Sequence, residues 1–348
     1  MALLNACSAS LGHTLPQRNG SARTGAQAEL GLSKMQIIFH IGAHRCATTT
    51  FQHYLRSHTA ELREAGLGFW GPQRLRHGGL FDGLYAGPSG EVPEAAIEAA
   101  KPRIASALAV ARARGVRTLL ISEENALGSV KGNIRRRALY PDALMRLRGF
   151  AKAIEHPIDR VMMGVRPLDG YWASALAYAV KRGNLPPQES QLAAITDAAR
   201  SWRDVACDVA EAFEGSEIEL HSFTEFASAP DARLARALTC NAPLPEVAKD
   251  VRLNQAPDLG ALRACLAARG HHARDLPNGE GRWQPFTRAQ SAVLAERHAD
   301  DVFWCVAGAG GIAKWIDRKE PREAGISLTA AARRGHIYDQ TRRMGHAS

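Results

Sequence analysis

The stretch FHIGAHRCATTT, residues 39–50, runs from an apolar segment through small residues into three consecutive threonines. Residues 36–41, QIIFHI, form a short apolar run that is typical of a buried strand. Beyond the threonines, Phe51, Tyr54 and Leu55 recur at helical spacing, and Gly66 marks a helix end. The sequence therefore predicts a strand, a loop and a helix in succession, the unit from which α/β sheets are built.

The alternation of strands and helices continues along the chain. Further buried strands are predicted over 117–122, 160–166 and 217–222. Helices are predicted over 94–114, 141–155 and 202–213, and the pattern from residue 231 onward is mainly helical. We therefore predict an α/β fold, a P-loop-like three-layer α/β/α arrangement with a central, mostly parallel sheet and a helical C-terminal part. The carboxyl ends of the strands should share one ligand crevice.

Composition restricts the class of ligand more than the class of protein. The chain has 348 residues, of which 45% are hydrophobic and 23% charged, so an ordinary globular protein is expected. Its 44 Lys and Arg against 35 Asp and Glu leave a formal charge of 44 − 35 = +9, which attracts anions. Nucleotides, nucleic acids and acidic glycans fit this charge equally well. The arginines are scattered apart from one cluster at 135–137, so no nucleic-acid partner is predicted.

Domain organisation and location follow from simple absences in the sequence. Six cysteines lie far apart without metal-binding spacing, which favours a reduced, cytoplasmic protein without a metal. No apolar stretch is long enough for stable membrane insertion. Residues 1–34 are predicted to be a disordered or spurious extension, with Met35 as an alternative start, followed by one domain over 35–320 and a tail over 321–348. The oligomeric state is left open.

Residues 42–50, here named the anion loop, join the first strand to its helix. At such a junction, free backbone N–H groups and the positive end of the helix dipole converge on an anion. Against the nucleotide-binding template G-x-x-x-x-G-K-[ST], Gly42 and Thr49 match, but Thr48 stands at the lysine position. The missing lysine removes the main charge on β- and γ-phosphates. The loop therefore suits a smaller phosphate-like group, with Arg45 as its cation.

The anion loop resembles a motif of a known protein family. The stretch HIGAHRCATTTFQHYL, residues 40–55, resembles the 5′-phosphosulfate loop of sulfotransferases, whose pattern is close to HIGxxKTGTTxLQ. Those enzymes transfer a sulfuryl group from 3′-phosphoadenosine 5′-phosphosulfate (PAPS). The resemblance puts Gly42 in the turn and Arg45 at the lysine position. It matches the four following family positions, Thr-Gly-Thr-Thr, to Cys46, Ala47, Thr48 and Thr49.

A second motif, RPLDGYWAS at 166–174, closes the third predicted strand. Arg166 at a strand end and Ser174 about two turns up a helix can hold one phosphate by charge and by hydroxyl hydrogen bond. This is similar to the 3′-phosphate site of sulfotransferases. The resemblance therefore implies PAPS as donor, without a metal, held by Gly42, Ala43, His44, Arg45, Cys46, Ala47, Thr48, Thr49, Thr50, Arg166 and Ser174.

The third motif, LLISEENALG at 119–128, places two adjacent carboxylates at a strand end. A carboxylate whose pKa is raised by partial burial could accept the proton of a hydroxyl acceptor. The stretch resembles the S-[DE]-E-N-x-x-G pattern of bacterial sulfotransferase-like proteins. We predict Glu124 as general base, Glu123 as second choice and Arg45 as the group that stabilises developing charge. Two alternatives stay open: Glu124 only caps a loop, or a histidine such as His44 is the base.

Taken together, the motifs imply a sulfotransferase that moves the sulfuryl group of PAPS to a hydroxyl of an unidentified carbohydrate or lipid-like acceptor. One rival function is a P-loop small-molecule kinase, which would need magnesium and ATP. The other is a non-catalytic relative that binds adenosine 3′,5′-bisphosphate or a glycan.

Overall fold

The computed structural model describes residues 34–85, 87, 90–238, 244–247, 251–271 and 276–318. The predicted tail over 321–348, and all of the predicted N-terminal extension except Lys34, lie outside these ranges. The bounds predicted for the domain, 35–320, therefore stay a prediction.

Six parallel strands form one central sheet. Strands β1 to β6 span Gln36–His40, Leu67–Trp70, Thr118–Ser122, Arg160–Val165, Glu217–Ser222 and Lys314–Ile316. Their order in the sheet is β2-β3-β1-β4-β5-β6, and every neighbouring pair is parallel. The predicted α/β fold is confirmed. The sequence had predicted four of these strands, and the structure adds the two short edge strands β2 and β6.

Helices cover both faces of the sheet. Helices α1 to α6 span Thr48–Ser57, Thr59–Glu64, Glu94–Ala113, Val130–Arg136, Ala143–Ile154 and Leu168–Lys181. Helices α7 to α12 span Glu189–Asp197, Trp202–Ala212, Phe223–Phe226, Pro230–Ala237, Leu259–Ala267 and Arg288–Val306. The helices predicted over 94–114, 141–155 and 202–213 correspond to α3, α5 and α8.

Successive residues of β1 belong to two different hydrophobic cores, one on each face of the sheet. Ile37 and Phe39 belong to a large core together with residues of α3, α5 and α8, whereas Ile38 belongs to a smaller core. The smaller core includes Phe51 of α1 and Leu234 of α10. Successive side chains of a strand point to opposite faces, so a strand that is apolar at every position must be buried on both sides. This is the three-layer arrangement predicted from the sequence.

The strand order also determines where a ligand can bind. From β1 the chain crosses to β2 and β3 on one side, and from β4 it crosses to β5 on the other. Connections that leave two adjacent strands in opposite directions open a crevice at their carboxyl ends. That crevice lies between β1 and β4. The anion loop follows β1, and Arg166 follows β4.

Candidate functional site

The anion loop lies tightly against the neighbouring strand β4. Gly164 of β4 donates its N–H to the carbonyl oxygen of Gly42 at 2.6 Å. A Cβ atom at Gly164 would come within 2.9 Å of the Cβ of Cys46, so the loop can approach this closely only because residue 164 is glycine. Gly42 itself has φ of +111°, which favours glycine. These contacts fix the loop above the crevice.

The N-terminal end of α1 leaves several backbone N–H groups available. Ala47 precedes the helix in a left-handed conformation, with φ 61° and ψ 25°. Within the described residues, no hydrogen-bond acceptor lies opposite the backbone N–H groups of Ala47, Thr48, Thr49 or Thr50. All four residues line a common cleft. Free N–H groups at the positive end of a helix dipole are the donors that anions bind.

Three side chains predicted from separate motifs meet beside these amides. Arg45 Nε donates to Ser174 Oγ of α6 at 2.9 Å, and a guanidinium N–H of Arg166 donates to the Arg45 carbonyl oxygen at 2.7 Å. The guanidinium groups also stack on aromatic rings, Arg45 on Tyr178 at 5.1 Å and Arg166 on Phe223 at 4.4 Å. The structure therefore brings Arg166 and Ser174 next to the anion loop.

These residues line a cleft of about 260 Å³ that also contains two arginines from the C-terminal loops. We name it the arginine cleft and define it by Arg45, Arg166, Arg252 and Arg282 together with residues 47–50 and Ser174. No Asp or Glu lines it, and none of the four guanidinium groups forms an ion pair within the described part of the chain. Burial lowers the pKa of Arg45 and Arg166, as expected for cations without carboxylate partners.

Arg252, Arg282 and the aromatic side chains of Phe223 and Trp283 also line the cleft, although no sequence motif pointed to them. Both arginines lie outside the helices and strands of the structure, in the region for which the sequence predicted a mainly helical pattern, and no periodicity marks such residues as part of a site. The 252–257 loop reaches the anion loop directly, because Leu253 N donates to Thr50 Oγ1 at 3.0 Å and Asn254 Nδ2 approaches Thr49 Oγ1 at 3.4 Å. The hydroxyls of Thr49 and Thr50 thus also hold this loop in place.

Glu124 lies on the other side of the anion loop, next to Gly42. A Cβ atom at Gly42 would come within 3.1 Å of the Cβ of Glu124. Gln52 Nε2 of α1 donates to one carboxylate oxygen at 2.7 Å, and a guanidinium N–H of Arg76 donates to the other at 2.9 Å. The Glu124 side chain is 16% exposed. Since each carboxylate oxygen has two lone pairs, both can accept a further hydrogen bond.

The protonation of Glu124 differs from the prediction. Burial alone would raise its pKa, but the neighbouring His44 and Arg76 and the hydrogen bonds it accepts lower the pKa below its usual value. The raised pKa expected from the sequence is therefore wrong. Glu124 is ionised at neutral pH, which leaves it able to accept a proton, as a weaker base than expected.

Glu123, the second predicted carboxylate, is fully buried. It accepts hydrogen bonds from Arg76 Nε at 2.9 Å, from the Tyr85 hydroxyl at 2.8 Å and from Asn125 N at 2.9 Å. With no exposed surface and every nearby donor already bound, Glu123 holds the end of β3 and its following turn. Of the two carboxylates, the structure exposes Glu124.

His44 and the remaining loop residues shape the loop rather than line the arginine cleft. His44 is held at both ring nitrogens, by Tyr140 Oη at 3.1 Å and by Asn125 Oδ1 at 3.0 Å, and burial lowers its pKa. Burial also raises the pKa of the Cys46 thiol to about 11. Of the nine loop residues predicted to bind PAPS, the cleft is lined by Arg45, Ala47, Thr48, Thr49 and Thr50.

No family model, curated protein or solved structure matches this chain. Within the described ranges, no helix is long and apolar enough to cross a membrane. The same residues contain no group of three or more His, Cys, Asp or Glu side chains arranged to hold a metal ion.

Proposed function

We propose that the protein is a sulfotransferase that uses PAPS as donor and a hydroxyl group as acceptor. The observation that carries the proposal is the arginine cleft. Four guanidinium groups that form no ion pair among the described residues line it together with Ala47 to Thr50, whose backbone N–H groups have no acceptor among the same residues. A ligand with two anionic groups, such as a 3′,5′-substituted adenosine, would balance this charge. The resemblance of the anion loop to the 5′-phosphosulfate loop supplies the choice of PAPS.

The proposed roles follow from position in the cleft. The amides of Ala47 to Thr49 and the guanidinium of Arg45 would bind the 5′ group, because they surround the helix N-terminus. Arg166 and Ser174 would bind the 3′-phosphate, and the Phe223 ring would contact the adenine. The same amides and Arg45 would stabilise charge that develops on the oxygens around sulfur during transfer.

Bound PAPS would supply the sulfuryl group, whose sulfur–oxygen bond to phosphate breaks as the acceptor oxygen bonds to sulfur. The hydroxyl proton of the acceptor would pass to Glu124, whose ionised carboxylate has free lone pairs and is partly exposed. Gln52 and Arg76 would position that carboxylate. The acceptor would be a carbohydrate or lipid-like alcohol of a bacterial cell, and a cytoplasmic location is part of this proposal.

The donor site is tested by calorimetry of adenosine 3′,5′-bisphosphate without magnesium, with 5′-AMP and ATP in parallel. We expect micromolar affinity that requires the 3′-phosphate. Arg166→Ala should weaken binding by about 10- to 100-fold, because it removes a charge-assisted contact. Arg203→Ala is the matched control, since Arg203 stacks on Trp304 outside the cleft and should leave affinity unchanged. A magnesium-dependent preference for ATP would support the kinase instead.

The transfer step is tested with Glu124→Gln. Turnover of radiolabelled PAPS, measured with a panel of glycan and lipid-like alcohols, should fall by about 10²- to 10⁴-fold while affinity for adenosine 3′,5′-bisphosphate stays unchanged. Normal turnover in this variant would reject Glu124 as base. Nucleotide binding without turnover of any acceptor by the wild type would favour the non-catalytic binder.

A further inference from the structure

Arg233 of α10 is a fully buried arginine directly beneath the anion loop. It is 1% exposed, and both of its terminal nitrogens lie 3.3 Å from the carbonyl oxygen of Cys46. Its guanidinium group also stands 5.6 Å from the centre of the Phe51 ring. A completely buried arginine is uncommon, because the cost of removing the charge from water normally has to be offset by a carboxylate.

No carboxylate offsets this charge in the described part of the chain. None of the ion pairs there includes Arg233, and its Nε atom has no hydrogen-bond partner. Burial lowers the pKa of Arg233 to about 10, although the side chain remains protonated at neutral pH. Its positive charge reaches the neighbouring buried histidines, His40 and His221, and helps to lower their pKa values. Arg233 is therefore a buried cation without a counter-charge among the residues that the structure describes.

The contact of Arg233 connects this charge to the anion-binding amides. The carbonyl of Cys46 and the N–H of Ala47 belong to the same peptide group. A cation that hydrogen-bonds the carbonyl polarises the peptide and makes its N–H a stronger donor. Among the described residues, the N–H of this peptide group has no acceptor, and Ala47 lines the cleft in which an anion would bind.

We propose that Arg233 is a positioning residue whose buried charge is balanced by the anion at the loop, so that it raises anion affinity without contacting the ligand. The inference rests on the anion-binding part of the proposed function and is independent of sulfuryl transfer. A buried charge acts through a low dielectric and is poorly screened, so its effect extends across the loop.

The test uses inorganic sulfate as probe and two variants of the full chain. Sulfate affinity is measured from the rise in stability with sulfate concentration, against sodium chloride at matched ionic strength. In Arg233→Met the sulfate dissociation constant should rise about tenfold, while the stability without sulfate is unchanged or higher because an uncompensated buried charge is gone. Arg233→Lys keeps the charge and should stay within about threefold of wild type. Arg236→Met removes one charge from the same helix and is the matched control.

Several results would overturn this inference. Equal sulfate affinity in Arg233→Met and wild type would do so, and so would Arg233→Met failing to fold, since a purely structural contact would then explain the residue. Loss of affinity in Arg236→Met as large as that in Arg233→Met would show that general charge is responsible. Sulfate binding that depends on Arg233 in a protein that does not bind adenosine 3′,5′-bisphosphate would sustain the inference and reject the proposed function. Nucleotide binding that is unchanged in Arg233→Met would reject the inference and leave the proposed function in place.

Discussion

Ala47 has a backbone conformation that residues with a side chain seldom adopt. Its φ of 61° and ψ of 25° lie in the left-handed region, where a Cβ atom crowds the following carbonyl oxygen. The sulfotransferase-like pattern has glycine at this position, whereas this chain has alanine. The conformation is held by the contacts that fix the loop on both sides, including the hydrogen bond from Gly164 N to Gly42 O. The chain therefore tolerates strain at its anion site.

Replacing Ala47 by glycine should relieve that strain. We expect Ala47→Gly to raise the free energy of unfolding by about 0.5–1 kcal/mol, because the relief of left-handed strain exceeds the entropy that glycine adds to the unfolded chain. Urea unfolding at pH 7 measures the change. Ala109→Gly, at an exposed position within α3, is the control and should lower stability by about 1 kcal/mol. A loss of stability in both variants would contradict the strain argument.

At the scale of elements, a single turn of π-helix after β2 organises the carboxylate side of the site. Residues Gln73–His77 form this turn, and it carries Arg76. The Arg76 guanidinium binds Glu123 at 2.5 Å and Glu124 at 2.9 Å, so one side chain connects the turn to the end of β3. The fully buried Glu123 depends on this contact, because a buried carboxylate without a cation is unfavourable. Gln52 provides the matching contact from α1.

Substitution of Arg76 should therefore destabilise the folded protein. Arg76→Met is expected to lower the free energy of unfolding by about 3 kcal/mol, because it leaves the carboxylate of Glu123 buried without its cation. Guanidinium chloride unfolding measures the loss. The double variant Arg76→Met, Glu123→Gln should recover part of it, since the second substitution removes the uncompensated charge. A loss below about 1 kcal/mol in the single variant would mean that the hydrogen bonds from Tyr85 and Asn125 are enough to stabilise the buried carboxylate of Glu123.

Across the whole molecule, positive charge is concentrated at one cleft. The formal charge of +9 spreads over the sequence, yet four arginines that have no carboxylate partner among the described residues line the arginine cleft. Three buried histidines, in contrast, carry no charge. His40, His44 and His221 all have pKa values lowered by burial, so they are neutral in the folded protein at neutral pH. Acidification should therefore act on stability before most carboxylates titrate.

The three histidines predict how stability depends on pH. Their pKa values in the folded protein lie below the unfolded value of about 6.5, so unfolding takes up protons once the pH falls below that value. The free energy of unfolding should be constant above pH 7 with respect to these groups. It should fall on going from pH 7 to 5.5, by at most about 1 kcal/mol per histidine and most for His40, whose pKa lies well below its usual value.

Urea unfolding at a series of pH values measures this slope. Because the cause is burial, the slope should be nearly the same at low and high salt. His40→Gln should reduce the loss by at least about one third. A stability that is flat between pH 7 and 5.5 would contradict the assignment of neutral buried histidines.

Much of the fold could be predicted from the sequence because its core elements have local signatures. Apolar runs predicted β1, β3 and β4, because strands buried on both faces are largely apolar at successive positions. Strand β5, with the sequence EIELHS, has alternating apolar residues instead. The edge strands were not predicted. Strand β2 has four residues, one of them glycine, and β6 has three. Such short segments show no hydrophobic periodicity that would predict a strand. They become strands only by pairing with β3 and β5.

The alternating α/β pattern, the loop with Arg45 and its threonines, and the Arg166–Ser174 spacing can all be read from the amino-acid sequence. Each of these features depends on residues close together in the chain. Three other features arise from folding: Arg252 and Arg282 reach the cleft, Arg233 lies against a carbonyl 187 residues away, and the pKa of Glu124 is lowered. Charge and burial at a site arise from contacts between distant segments, and no local pattern records them.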